Sequence, residues 1–126
     1  MNSLGRIALL LACAAIVSCG PSKADKQWAS DSTGGDPANG KAAILKYGCI
    51  SCHTIDGVRE SRAMVGPPLT RMAARSYLAG NMQNNAANLI RFIQHPQQVH
   101  NDTAMPEMGV TEQDARDIAA FLYTSK

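Results

Sequence analysis

The chain has few aromatic residues and no strong excess of charge of either sign. Its 126 residues include one Trp, three Tyr and two Phe, and the formal net charge at pH 7 is +2. Proteins that bind nucleic acid usually carry a basic patch or stripe, often with aromatic residues, and no such stripe occurs here. We therefore expect no nucleic-acid partner, and the length allows for a single domain.

The chain also lacks an apolar run long enough to span a membrane. Its longest run, Ile7 to Val17, has eleven residues, which form about 17 Å of helix against a hydrocarbon core of about 30 Å. A short basic start precedes this run. The pattern predicts an export signal over residues 1–18.

The end of this signal, Ile16-Val17-Ser18-Cys19, resembles the bacterial lipobox, in which the cysteine is acylated and becomes the mature N-terminus. Attachment through more than one acyl chain is stable. This resemblance implies a protein exported to the bacterial periplasm and anchored through Cys19 to the inner or the outer membrane. The alternative is an ordinary signal peptide cut after Ala24, which discards Cys19.

Two of the four cysteines belong to the export segment, since Cys13 lies in the signal and Cys19 takes lipid. If the other two bind one cofactor, no cysteine is left for a disulfide. The other two, Cys49 and Cys52, stand three residues apart and directly precede His53. Cys-x-x-Cys-His is the pattern by which haem is attached covalently, each thiol bonding one vinyl-derived carbon while the imidazole faces the iron. One covalent haem c is the leading hypothesis.

Two other kinds of site use a Cys-x-x-Cys pair and stay open at this point. A thioredoxin-like redox pair needs a strand leading into a helix N-terminus, and no strand-like run precedes Cys49. A zinc site would recruit His95 and His100, but 42 residues separate Cys52 from His95, where a zinc finger uses about 12.

The remaining chain divides into a polar stretch and a helical domain. Residues 19–35 predict a flexible membrane tether with a reach of roughly 20 Å, from which Trp28 contacts either lipid or the domain. Residues 36–126 predict a small all-α domain, because no segment alternates as a strand does. A first helix is expected from Asp36-Pro37 to about Tyr47, a weak one over 69–75, and a short one around 89–93 that is stopped by Pro96. A last helix is expected from Thr111, its cap, to the C-terminus, with Asp114 completing a capping box.

A haem iron held by His53 in an electron-transfer protein needs a sixth ligand that does not exchange. Met105 is the best candidate, because it lies in a loop and is followed by Pro106 just before the terminal helix. Its thioether favours ferrous iron. Met108, His95 and His100 are weaker alternatives.

Three motifs occur in the order found in class I cytochromes c: Cys49-x-x-Cys52-His53, Gly66-Pro67-x-Leu69, and Met105-Pro106 ahead of a C-terminal helix. Over residues 36–126 the chain resembles this family, most of all small bacterial cytochromes and the cytochrome domains associated with haem-copper oxidases. The expected fold packs the first and last helices across each other, with Gly40 and Phe121 in their contact.

The resemblance also implies roles for individual residues. Cys49 and Cys52 would form the thioether links, and His53 and Met105 the axial iron ligands. The carbonyl of Pro67 would accept a hydrogen bond from the second ring nitrogen of His53. Three further side chains would bind the haem propionates: Arg75, Tyr77 and Thr103.

These features predict an electron carrier rather than an enzyme, with both axial positions filled by the protein. The expected partners are redox proteins: an oxidase, a quinol-oxidising complex or a dehydrogenase. The alternative is a haem enzyme or gas sensor in which Met105 dissociates, and the only acid or base beside Met105 is Glu107.

Overall fold

A computed structural model of the protein describes residues 20–125. The predicted signal peptide and the predicted acylation site at Cys19 lie outside the described residues. Within residues 20–125, no helix is both long and apolar enough to cross a membrane.

The described chain is mostly helical, which confirms the all-α prediction. A 3₁₀ turn at Cys49–Ser51 follows the second helix, and another at Met72–Ala74 replaces the weak helix predicted over 69–75. A short hairpin that the sequence analysis did not predict pairs β1 (Tyr77–Leu78) with β2 (Met82–Gln83), two residues in each strand. The five α-helices of residues 20–125 are α1 (Lys23–Thr33), α2 (Pro37–Lys46), α3 (Ala86–Gln94), α4 (Pro96–Val99) and α5 (Glu112–Tyr123).

Helix α2 begins as its sequence predicts. The side chain of Asp36 accepts a hydrogen bond from the backbone N–H of Ala38 at 2.8 Å, and Pro37 occupies the first turn. Its buried face consists of Gly40, Ala43 and Ile44. This face packs against α5 and forms the centre of the core.

Helix α5 is capped by Thr111, whose hydroxyl accepts from the Asp114 N–H at 3.2 Å. The predicted capping box is not completed, because the Asp114 carboxylate instead accepts from Lys46 Nζ at 2.8 Å and from Tyr47 Oη at 2.7 Å. Asp114 therefore joins the start of α5 to the end of α2.

Helices α2 and α5 are in close contact at Gly40, as the resemblance implied. A Cβ atom at this position would overlap the backbone carbonyl of Asp117 and would lie 2.8 Å from Cβ of Phe121. Only a residue without a side chain fits this crossing.

Residues 23–33 differ from the prediction of a flexible tether, because they form α1. Ser22 and Asp25 make a reciprocal capping box, with the Ser22 N–H donating to the Asp25 carboxylate at 2.8 Å. Ala29 is fully buried, and Trp28 packs on Tyr123 with ring centroids 5.6 Å apart. The prediction failed here because α1 has little apolar content of its own and is stabilised by packing on α5.

Proline ends α3 as predicted, since α3 stops at Gln94 and Pro96 lies two residues further on. Pro96 itself begins α4, a single helical turn that the sequence analysis did not predict. The next segment, residues 100–110, is without regular secondary structure and leads into α5.

Candidate haem site

The Cys49–Ser51 turn places both cysteines on one side of the backbone. It begins at Gly48, whose φ of 68° lies in the left-handed region. The N–H groups of Cys52 and His53 donate to the carbonyl oxygen of Cys49 at 3.2 and 3.0 Å. Because side chains at positions i and i+3 of a 3₁₀ turn are eclipsed, the two thiols face the same way, as two links to one porphyrin require.

Both cysteines are half-buried and unpaired. Burial raises the pKa of the Cys49 thiol, and the negative charge of a Cys52 thiolate would raise it further. A thioredoxin-like pair needs the opposite shift together with a strand before the turn, and α2 precedes it here. The structure therefore argues against the thioredoxin-like alternative.

The zinc alternative finds no support in residues 20–125. No three His, Cys, Asp or Glu side chains of that range converge on a metal-sized site. His95 Nδ1 lies 3.5 Å from a carboxylate oxygen of Glu107, and Nδ1 of His100 is buried without a hydrogen-bond partner. Neither histidine shares a site with the two cysteines.

The imidazole of His53 is held in one orientation by the segment 66–69. Its Nδ1 lies 2.7 Å from the carbonyl oxygen of Pro67, and the donating tautomer makes this a hydrogen bond. With Nδ1 engaged in this way, Nε2 is the ring nitrogen that a metal can bind.

The chain around this contact is fixed by backbone hydrogen bonds on both sides. The Gly66 N–H donates to the Cys52 carbonyl oxygen and the Leu69 N–H to that of Thr54, each at 2.7 Å. Gly66 also packs directly on the imidazole, since a Cβ atom there would overlap Cε1 and lie 2.7 Å from Nδ1 of His53. The segment thus supports the histidine through its backbone alone.

Arg75 lies beside the same segment. Its guanidinium donates to the carbonyl oxygens of Pro68 (Nη2, 2.6 Å) and Thr70 (Nη2, 2.9 Å; Nε, 3.1 Å). These acceptors are neutral, and no carboxylate in the described part of the chain pairs with Arg75. Its positive charge remains available to an anionic group.

The other predicted site residues lie elsewhere on the chain. Met105 is half-buried in the loop before α5, and its N–H donates to the Thr103 hydroxyl at 3.3 Å. Met108 is 41% exposed, and Tyr77 on β1 is 62% exposed. No hydrogen bond within residues 20–125 joins Met105 or Tyr77 to the His53 group.

Asn84, which sequence reasoning missed, supports the backbone of the turn that carries Arg75. The Asn84 amide donates to the carbonyl oxygens of Met72 at 2.8 Å and Arg75 at 2.7 Å, and its oxygen accepts from Tyr123 Oη at 2.8 Å. This links the Arg75 turn to the end of α5. A lone Asn in a polar stretch carries no signal for such a role.

The fold and the turn around Cys49, Cys52 and His53 define an all-α domain built to carry a covalent porphyrin. The chain belongs to the cytochrome c family, whose model, described as "Cytochrome c", matches residues 37–126. Helix α1 precedes the matched residues.

Among curated proteins, the chain is similar to the cytochrome c oxidase subunit 2 of Alkalihalophilus pseudofirmus. The two are 30% identical over 88 residues, which cover 69% of this chain. The chain spans 25% of the length of that relative. No solved structure matched the chain.

Membership of this family means that the domain binds haem c covalently and serves haem-based electron transfer. The residues present fit this group: two thiols on one side of a turn, and an imidazole oriented through Nδ1. The predictions of a class I cytochrome c and of one covalent haem are confirmed.

Proposed function

We propose that this protein is a membrane-tethered periplasmic carrier of single electrons, with His53 and Met105 as the two axial ligands. The observation that carries the proposal is the 2.7 Å contact between His53 Nδ1 and the Pro67 carbonyl oxygen, next to Cys49 and Cys52 in a cytochrome c family member. When bound, the haem supplies an iron that gains and loses one electron.

The chain contributes orientation and ligand chemistry. Pro67 holds the imidazole of His53 in one tautomer and one ring plane, which raises its basicity toward a metal. Met105 offers a soft, neutral thioether from a loop in which its own N–H donates to the Thr103 hydroxyl. This pair of ligands favours the reduced state more than two histidines would.

Three side chains are assigned to the haem propionates. Arg75 supplies a positive charge without a carboxylate partner within residues 20–125, while Tyr77 and Thr103 supply hydroxyl groups. Charge-assisted hydrogen bonds to a carboxylate are the strongest of this kind.

With both axial positions held by the chain, the protein would transfer electrons without binding a substrate at the iron. Enzymatic chemistry would also need an acid or base beside Met105. The candidate there is Glu107, but one of its carboxylate oxygens lies 3.5 Å from His95 Nδ1, so this carboxylate is already paired with a histidine. Electron transfer without an enzymatic step is therefore the function we propose.

The proposed anchor rests on the sequence, and the proposed partners rest on similarity. Acylation of Cys19 would attach the protein to the inner or outer membrane and leave the domain in the periplasm. The similarity to an oxidase subunit 2 supports a terminal oxidase as redox partner. A quinol-oxidising complex or a dehydrogenase would supply the other side of the electron path.

The ligand assignment is tested with Met105→Ala and the matched control Met108→Ala in the holoprotein. The ferric protein should show the weak far-red band of a sulfur–iron bond, which Met105→Ala abolishes and Met108→Ala retains. A band that survives in Met105→Ala would contradict the assignment. Rapid binding of carbon monoxide to the native ferrous protein would instead indicate that Met105 is labile.

A further inference from the structure

Helix α1 is fixed to the cytochrome c domain at several points. Ala29 and Thr33 are buried against the domain, and Arg116 Nη1 donates to the Thr33 carbonyl oxygen at 3.1 Å. A Cβ atom at Gly35 would overlap the Arg116 backbone, and the Asp36 N–H donates to the Asp117 carboxylate at 2.8 Å. Helix α1 and the chain that follows it therefore move with α5 as one body.

This arrangement shortens the connection to the proposed anchor. The N-cap of α1 is Ser22, so only Gly20 and Pro21 separate it from Cys19. Three Cα–Cα steps span at most about 11 Å. A flexible tether over residues 19–35 would have had a reach of roughly 20 Å and free rotation.

The surface next to this connection is a cleft of about 1050 Å³ between α1, the start of α2 and the end of α5. Gly20 and Pro21 line it, so the chain leaves the described structure at this cleft. We call this surface the α1 cleft. Its other lining residues include Lys23, Lys26, Lys41, Asp36, Asp56 and Phe121.

The charged groups of the α1 cleft differ in how they are engaged. The carboxylate of Asp36 accepts from the Ala38 N–H at 2.8 Å and that of Asp56 from the Arg71 N–H at 3.2 Å. Lys41 donates to the Gly57 carbonyl oxygen at 2.8 Å. Lys23 and Lys26 are exposed on α1 and stand nearest the anchor. The carboxylate of Asp25, between them in sequence, is half-buried and accepts from the Ser22 N–H at 2.8 Å, so the exposed charges of the first turn of α1 are cationic.

We propose that the α1 cleft lies against the anionic headgroups of the membrane, so that α1 holds the domain in one orientation rather than letting it swing. The inference rests on the proposed acylation of Cys19. Exposed lysines near an anionic surface each strengthen binding by about fivefold. A domain held this closely is positioned to exchange electrons with a redox complex embedded in the same membrane.

The orientation is measured by thiol accessibility in the holoprotein, where the haem occupies Cys49 and Cys52. Two variants, Gln27→Cys at the α1 cleft and Arg91→Cys on α3, are each prepared acylated in phosphatidylglycerol-containing vesicles. Each is also prepared without an anchor, as Cys19→Ser behind an ordinary export signal. A bulky polyethylene glycol maleimide should label Gln27→Cys several-fold more slowly in the anchored form, and Arg91→Cys equally fast in both forms.

A linker variant separates fixed orientation from anchoring alone. Sixteen Gly and Ser residues inserted after Gly20 should keep the protein on vesicles but restore the labelling rate of Gln27→Cys. Equal rates at both positions in the native anchored protein would overturn the inference while leaving the anchor intact. An unacylated Cys19, seen by mass spectrometry, would overturn the proposed anchor and the inference together.

The charge contribution is tested with the unanchored holoprotein and phosphatidylglycerol vesicles. Lys23→Gln with Lys26→Gln should weaken vesicle binding by about 25-fold, given about fivefold for each lysine. Arg62→Gln with Arg91→Gln removes the same charge elsewhere and should change binding little. Equal losses in the two double variants would contradict a specific role of the α1 cleft.

Discussion

Nδ1 of His53 lies 2.7 Å from the carbonyl oxygen of Pro67, and this contact is made by a segment that is itself fixed to the haem-attachment turn. The Gly66 N–H donates to the Cys52 carbonyl oxygen at 2.7 Å. The orientation of the imidazole is therefore set by backbone atoms on both sides. Side-chain substitutions affect it only where they displace that backbone.

Gly66→Ala is such a substitution. The added Cβ would overlap the His53 ring, so either the ring or the segment 66–69 must shift. We expect a loss of about 1 to 3 kcal/mol in the free energy of unfolding, with a changed reduction potential as the Nδ1 contact lengthens. Chemical denaturation and redox titration measure the two effects.

The control for this variant is Gly80→Asn, at the tip of the hairpin. Gly80 has a φ of 89° but no neighbour within 4 Å of an added Cβ, and Asn tolerates positive φ better than most residues. It should leave the potential unchanged. A Gly66→Ala protein with native potential would show that the contact to Pro67 does not tune the iron.

Arg75 has a predicted electrostatic effect as well as a structural one. Its charge favours the reduced, more negative haem, so Arg75→Gln should lower the reduction potential by tens of millivolts. Arg75→Lys keeps the charge but loses the forked contact to Pro68 and Thr70. A potential lowered only in the Gln variant supports the propionate assignment. Equal shifts in both variants would indicate a purely structural role.

The contact of Lys46 and Tyr47 with Asp114 should make stability depend on pH. Hydrogen bonds from Lys46 and Tyr47 hold the pKa of Asp114 below its ordinary value. A lowered carboxyl pKa contributes stability that is complete above the unfolded-state pKa of about 3.9 and is lost as pH falls through the folded-state pKa. We expect the unfolding free energy to fall in this acidic range.

Asp114→Asn should lower stability at neutral pH and converge with the parent protein in acid. Lys46→Gln tests the same pair, and the double variant should lose less than the sum of the two single variants. Both losses should shrink at high salt, because Lys46 is exposed. Additive losses at neutral pH would contradict a direct contribution of the ion pair.

The sequence revealed the features that depend on local chemistry. Asp36-Pro37 and Thr111 cap helices through contacts within three residues, and the haem-attachment pattern is contiguous. Helix α1 was missed although Ser22 and Asp25 form a local capping box, because the helix has little apolar content of its own and depends on packing against α5, which is distant in sequence. The Asn84 contacts were missed for the same reason, since their partners Met72 and Tyr123 are distant in sequence.

Gly40→Ala should show how tightly α2 and α5 pack. Alanine improves helix propensity by about 1 kcal/mol, but here its Cβ would overlap the Asp117 carbonyl. We expect a net loss of about 1 to 3 kcal/mol in the free energy of unfolding, because backbone must move to make room. Asn39→Ala, on the exposed face of the same helix, should be neutral or stabilising. A Gly40→Ala protein with the same free energy of unfolding as the parent would indicate that α2 and α5 can move apart at little cost.

The attachment of α1 to the domain has a direct test in proteolysis. Ala29→Asp places a carboxylate at a fully buried position, where an unpaired charge is strongly unfavourable. We expect α1 to detach and trypsin to cut after Lys23 and Lys26 much faster, while the haem spectrum stays native because α1 lies outside the family-matched residues 37–126. The control Ala24→Asp adds the same charge on the exposed face and should keep the slow cleavage. Fast cleavage in the parent protein would mean that α1 is not held on α5, and the domain would then swing on a longer tether.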